Sequence, residues 1–120
     1  MNCNFTPEER REIIALMNRE IIPAIGCTEP IAVALAVAKA MEIIEDRCEY
    51  TGSDWRMKEG YTLDIEVSGN ILKNGMGVGI PGTGMVGLHI ASALGAVCGK
   101  SSYGLEVLND LDEKSIAKAK

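Results

Sequence analysis

The stretch Thr28-Glu29-Pro30-Ile31-Ala32-Val33-Ala34-Leu35-Ala36-Val37-Ala38 decides the fold. Thr28 reads as a helix cap and Glu29 as an acid suited to a first turn. Pro30 is tolerated there because the earliest N–H groups of a helix have no intrahelical partner. From Ile31 to Ala38 the helix has no polar face, and it turns charged only at Glu42, Glu45 and Asp46. A helix that is apolar all round is a buried one. It is expected at the centre of the fold.

Upstream, Thr6-Pro7-Glu8-Glu9 is a helix start: Thr6 can cap, Pro7 suits the first position and Glu9 closes a capping box. Ile13, Ile14, Leu16, Met17 and Ile21 give that helix an apolar stripe ending before Pro23. Residues 24–27 form a short loop into the central helix.

Downstream, residues 49–60 are polar and read as a loop. Tyr61, Leu63, Ile65 and Val67 then alternate with Thr62, Asp64, Glu66 and Ser68, the pattern of a half-buried strand. Ile71 to Lys73 either continues that strand or pairs with it in a hairpin. After the glycine-dense stretch from Asn74 to Gly87, a third main helix is expected over 84–98, stopping at Gly99. Gly87, Ala91 and Gly95 lie four apart on one face of it, where another backbone can come close. Tyr103 to Leu108 reads as a short strand. Residues 112–120 open like a capped helix that meets no stop signal.

The reading is α+β: a buried central apolar helix, two further main helices and a small antiparallel strand element. Residues 1–120 are read as the amino-terminal part of a larger domain.

The 120 residues are 47% hydrophobic, 4% aromatic and 24% charged, which suits one domain or part of one. Seventeen acids against twelve Lys and Arg give a net charge of −5. That balance excludes nucleic acid and an anionic membrane as expected partners, since both need a basic patch. The longest strongly apolar run, residues 31–38, is far short of the roughly 20 residues a membrane span requires. Glu8, Glu9, Arg10, Arg11 and Glu12 stand where a signal peptide needs an apolar stretch, so a cytoplasmic location is expected. Cysteines at 3, 27, 48 and 98 form no CxxC pair and there is one histidine. They read as reduced thiols rather than disulfides or a self-contained metal site.

Two constellations carry candidate chemistry. The first is Gly26-Cys27-Thr28-Glu29-Pro30. With Thr28 as cap, Cys27 faces free N–H groups and the positive end of the helix dipole. That is the setting in which a thiolate serves as base, nucleophile or iron ligand. Glu29 offers an acid or base, or simply stabilises the first turn. The second runs from Lys73 to Gly84. Its N–H groups can cradle a carboxylate or phosphate, with Asn74, Thr83 and Lys73 supplying polar groups; alternatively it is a glycine-rich turn.

Within the second constellation, Gly82-Thr83-Gly84-Met85-Val86-Gly87 matches G-x-G-x-x-G, the dinucleotide fingerprint. This keeps an NAD- or NADP-binding oxidoreductase open, although Pro81 would interrupt the preceding strand. A non-enzymatic module docking through the Gly87, Ala91, Gly95 face is a third reading. His89 and Cys98 read as structural residues.

Taken together, Ile22 to Pro30, Lys73 to Val78 and Pro81 to Gly87 resemble the amino-terminal part of the L-cysteine desulfidase family, related to the alpha chain of iron–sulfur L-serine dehydratases. The resemblance implies a lyase using a 4Fe-4S iron–sulfur cluster, acting on L-cysteine or L-serine to release pyruvate, ammonia and sulfide or water. It implies Cys27 as base or cluster-associated thiol; Glu29 beside it stands as the second catalytic candidate on its residue type and position alone. Asn74, Gly75, Gly82, Thr83 and Gly84 would line the substrate's carboxylate pocket, and Thr28 and Lys73 are further substrate-binding candidates beside them. Members of that family are several times longer, with the other cluster cysteines far toward the carboxyl end. The chain alone is therefore expected to hold no cluster and to be inactive without its missing carboxyl-terminal part, and exposed apolar surface would favour a homo-oligomer.

Overall fold

A computed structural model describes residues 4–48, 55–57 and 60–120. Helix α1 spans Pro7–Glu20 and carries the expected capping box: the Thr6 hydroxyl accepts from Glu9 N–H at 3.2 Å, and the Glu9 carboxylate accepts from Thr6 N–H at 2.7 Å. None of its residues is buried. Ile14, Met17 and Ile21 keep their apolar surface in the open. The molecule is accordingly long, 61 × 32 × 26 Å, with a radius of gyration of 18.0 Å against about 14 Å for a compact body of this length.

Helix α2, Thr28–Cys48, is the central element. Ile31, Val33, Ala34, Val37, Ala38 and Met41 are buried along it, mainly against α4 (Leu88–Cys98). Burial is confined to part of its circumference, since Ala36 is exposed and Leu35 only half-buried. The helix is central, but covered on one side rather than all round.

Small residues set the spacing of the two helices. A Cβ added at Gly95 would lie 2.5 Å from the Ala34 carbonyl oxygen, and one at Gly99 would lie 2.7 Å from the Ala38 Cβ. The face anticipated from Gly87, Ala91 and Gly95 does admit a neighbouring backbone, at its Gly95 end. Ile31, Ala34, Ala38, Ile80, Ile90, Ala91, Leu94, Val107 and Leu108 form the core around this crossing. Each fully buried large aliphatic among them is worth about 1.5–3 kcal/mol.

The small antiparallel sheet exists, but not at residues 61–73. It consists of β1 (Gly79–Ile80) and β2 (Met85–Val86), with Gly79 opposite Val86 and Ile80 opposite Met85. Residues 60–67 have no regular secondary structure. Ile71 to Lys73 lies in a short helix, α3 (Gly69–Gly75), because the Ser68 hydroxyl accepts from Ile71 N–H and starts a helical turn. Helix α4 begins at Leu88 rather than Gly84, since residues 84–87 are taken up by the hairpin.

The strand expected over 103–108 is instead a 3-10 turn, Ser101–Glu106, closed by Tyr103 N–H to Lys100 C=O and Val107 N–H to Gly104 C=O, both at 3.1 Å. Gly104, at φ 56°, breaks any extended run there. Helix α5, Glu113–Ala119, starts as read: the Asp112 carboxylate accepts from Ser115 N–H at 2.7 Å. No helix among the described residues is long and apolar enough to cross a membrane.

Candidate functional site

The turn carrying Cys27 is held from two sides. Ile25 N–H donates to the Leu105 carbonyl at 3.3 Å, which ties the loop to the 3-10 segment. Gly26 adopts φ 85°, a conformation that favours glycine, and its α-carbon faces Pro81 so closely that an added Cβ would lie 3.0 Å from the proline Cδ. The turn before α2 is thus seated on the glycine-rich hairpin, 54 positions further along the sequence by the numbering of Cys27 and Pro81.

Thr28 is the first residue of α2, not its cap. Cys27 takes the cap position, and its carbonyl accepts from Ile31 N–H at 3.5 Å. Its thiol is exposed. Thr28 is exposed beside it, and Glu29 is half-buried in the first turn, where the helix dipole favours a carboxylate. An exposed thiol and a carboxylate therefore share the electropositive end of a helix, in a turn that rests on Pro81.

The glycine-rich segment has a local explanation of its own. Thr83 N–H donates to the Ile80 carbonyl at 3.2 Å, with Pro81 and Gly82 (φ 79°) between them, the residue choice of a type II turn. The Thr83 hydroxyl donates to the Ile80 carbonyl at 2.7 Å and accepts from Met85 N–H at 3.0 Å. Thr83 therefore closes the hairpin with the group that was expected to meet a substrate. Gly84, at φ 68°, completes the reversal. Gly75 is buried against Leu88, where its missing side chain makes room for the leucine. Lys73 and Asn74 are exposed near the end of α3. Helix α3 packs on α2, but no hydrogen bond among the described residues ties Lys73 or Asn74 to the Cys27 turn.

The G-x-G-x-x-G match lies in the hairpin turn and β2 of an antiparallel pair. The dinucleotide fingerprint works at the end of a parallel strand feeding a helix that receives the pyrophosphate. That context is absent here among the described residues. His89 is exposed on α4.

Among the described residues the thiols are not brought together around one site. Among the described residues no three His, Cys, Asp or Glu side chains are grouped to hold a metal. Cys27 and Cys48 bracket α2, about 30 Å apart at 1.5 Å rise per residue. Cys98 is half-buried at the end of α4 and donates to the Leu94 carbonyl at 3.3 Å. Burial pushes its thiol above the ordinary range. Cys3 lies outside the described residues.

A second polar constellation was not legible beforehand. Arg56, 8% exposed, donates from Nε and Nη2 to Glu45 at 3.0 and 2.6 Å and from Nη1 to the Gly99 carbonyl at 2.9 Å. Trp55 Nε1 also donates to Glu45. One turn earlier, Glu42 accepts from Ser101 N–H at 2.7 Å. Glu42, Glu45, Arg56 and Gly99 border a cavity of about 370 Å³ with Val97, Cys98 and Lys100. Their bonds are spent on one another, joining α2 to the end of α4. The only sequence signal was two acids three apart on α2 and an arginine in an otherwise uninformative loop.

A first expected result tests the seat of the Cys27 turn. Gly26→Ala forces a non-glycine residue into positive φ against Pro81 and should lower stability by about 1–2 kcal/mol in urea denaturation. An unchanged midpoint would mean that the contact is not maintained.

No family model matches the chain, and no solved structure matches it. It is similar to curated proteins named UPF0597 protein. That of Phocaeicola vulgatus is 59% identical over 112 residues, which is 93% of this chain and 23% of the relative. That of Parabacteroides distasonis is 55% identical over 111 residues, 92% of this chain and 23% of the relative. A third, from Shewanella pealeana, is 53% identical over 104 residues, 87% and 22% respectively. The chain spans less than a quarter of the length of these relatives. Their name corrects the resemblance drawn from the motifs: the similarity over most of the chain is to UPF0597 proteins, with no desulfidase naming among them. Short cysteine and glycine motifs of the kind used there encode a helix start and a type II turn, and neither is peculiar to one family.

Proposed function

We propose that this chain contributes a thiol-bearing wall to the active site of a lyase acting on a small α-amino acid with a β-leaving group, L-cysteine or L-serine. The observation that supports it is the exposed Cys27 at the mouth of α2, in a turn seated on the Pro81 hairpin. Free N–H groups at a helix start attract a carboxylate, so the substrate's carboxylate would sit there beside the sulfur. Cys27 would then take the α-proton as general base and pass it to the departing group, so that the β-substituent leaves as hydrogen sulfide or water. The aminoacrylate so formed tautomerises to an imine, and water converts that to pyruvate and ammonia. Glu29 is the second titratable group of the turn and would hold the substrate's ammonium. The exposed Lys73 and Asn74 are candidates for closing the pocket in the complete protein. Thr83 and the glycines at 75, 82 and 84 shape the loop rather than touch the substrate. The proposal includes a cytoplasmic location, where the thiol stays reduced.

The test is anaerobic expression of the protein in full from its gene, followed by a pyruvate assay with L-cysteine and with L-serine. Pyruvate is expected from at least one. Cys27→Ser should lower the rate by about 10²–10⁴, the usual worth of a general base, with the circular dichroism spectrum unchanged. Cys48→Ser should leave the rate as it was. No pyruvate from either amino acid, or full activity in Cys27→Ser, would reject the reading.

A further inference from the structure

Residues 61–67 carry a strand's side-chain pattern without a strand's hydrogen bonds. Tyr61 and Leu63 line a cavity of about 360 Å³ with Ala93, Ala96 and Val97 of α4. Leu63, Ile65 and Val67 line a second, of about 320 Å³, with Leu88, His89 and Ser92 of the same helix. Thr62, Asp64 and Glu66 line neither. Odd-numbered residues therefore border the cavities along α4 and even-numbered ones do not, the period-two disposition of a pleated strand. The side facing α4 is only half covered, with Tyr61, Leu63 and Ile65 at 38%, 39% and 37% exposure.

Among the described residues, no backbone–backbone hydrogen bond involves any of positions 61–67. A run of unpaired N–H and C=O groups beside an apolar face is a template for another strand. The residue types agree, with Tyr, Thr, Ile and Val enriched in strands and no Pro to interrupt a ladder.

We infer that residues 61–67 are a strand whose neighbour is a β-strand from the part of the longer protein that lies outside this chain. The occupant follows from length. The UPF0597 relatives match over most of this chain yet are more than four times as long, the match covering 23% of each of the two described first. The added strand satisfies the idle backbone groups, and its own alternate side chains complete the half-empty cavities over α4. Asp64 and Glu66 border neither cavity, and charged residues on a strand limit unwanted pairing.

Hydrogen–deuterium exchange on the protein expressed in full from its gene reads this directly, and independently of any catalytic assay. The amides of 62–66 are expected to exchange at least a hundredfold more slowly than in the unfolded chain, at every protein concentration. Asp64→Pro, which removes one donor from the ladder, should speed exchange both at 62–66 and in one peptide outside residues 1–120, with α2 and α4 still protected. Exchange within tenfold of the unfolded rate overturns the inference. Protection that grows with concentration as dimers form also overturns it, because the occupant would then be a second copy.

Discussion

Replacing Gly95 by alanine is expected to lower the stability of the protein by about 2 kcal/mol, although the same change in an exposed helix would raise it. Glycine inside a helix costs roughly 0.5–1 kcal/mol relative to alanine, so the intrinsic effect of the substitution is favourable. Against it stands the geometry of the crossing. The new Cβ would lie 2.5 Å from the Ala34 carbonyl oxygen, 2.9 Å from its Cα and 3.0 Å from its carbonyl carbon. These are backbone atoms and have no rotamer to move into. Helices α2 and α4 would have to separate, loosening contacts at Ile31, Ala38 and Leu94 together. Overpacking of this kind costs about 1–3 kcal/mol and occasionally more. The upper end applies because the obstacle is main chain. Gly99→Ala, against the Ala38 Cβ and the Gly95 carbonyl, should act in the same direction. Urea denaturation of each variant gives the answer. A Gly95→Ala protein more stable than its parent would mean that the two helices are not in contact at this point.

The elements that were legible in advance are those whose signals lie within a few residues. The Thr6 and Glu9 capping box, the run from Ile31 to Ala38 and the Asp112 cap each act within one turn of helix, and each is where it was expected. Residues 61–67 show the complement. Their alternation was readable and alternate residues do border the cavities along α4, but a strand also needs a partner, and no partner lies among the described residues. The run 103–108 misled for a different reason: its apolar residues suggested a strand, yet Gly104 at positive φ and two short-range hydrogen bonds make a tight turn. In the glycine-rich loop, Pro81-Gly82 already contains a type II turn, and that local chemistry outranks the longer fingerprint. The Cys27 turn was placed correctly at the start of α2, whereas its seat on Pro81 depends on a contact between distant parts of the chain that no local pattern encodes. Arg56 belongs to the same class. Nothing within residues 49–60 foretells that its guanidinium reaches both Glu45 and the Gly99 carbonyl.

That guanidinium sets the second large effect. Glu45→Ala is expected to cost about 2–3 kcal/mol at neutral pH. The Arg56 side chain is 10% exposed, and without Glu45 it keeps only the Gly99 carbonyl and whatever water can reach it. Breaking a fully buried ion pair from one side costs about 3–5 kcal/mol. Here Glu45 is itself 28% exposed, so the value falls below that range. The sign with pH follows from the carboxyl's surroundings. Burial alone would raise it, but hydrogen bonds from Arg56 and Trp55 and the Arg56 charge outweigh that and hold it below its ordinary value of 4.5. The unfolded chain therefore binds the proton more readily than the folded one, and the stability Glu45 confers is fully present above pH 4.5 and drains away as the pH falls below it. Glu42, lowered in the same direction because bonds from Ser101 and Lys39 overcome its burial, adds to the same acid limb. Urea midpoints taken at neutral pH and in steps below pH 4.5 should fall steeply in the parent and more gently in Glu45→Gln, which starts lower. Arg56→Lys keeps the charge but loses the fork that grips both carboxylate oxygens and the Gly99 carbonyl, so on its own it should cost more than half of what Glu45→Ala costs. If Glu45→Gln instead matched the parent at neutral pH and kept the same acid slope, the junction between α2, residue 56 and the end of α4 would rest on apolar packing alone.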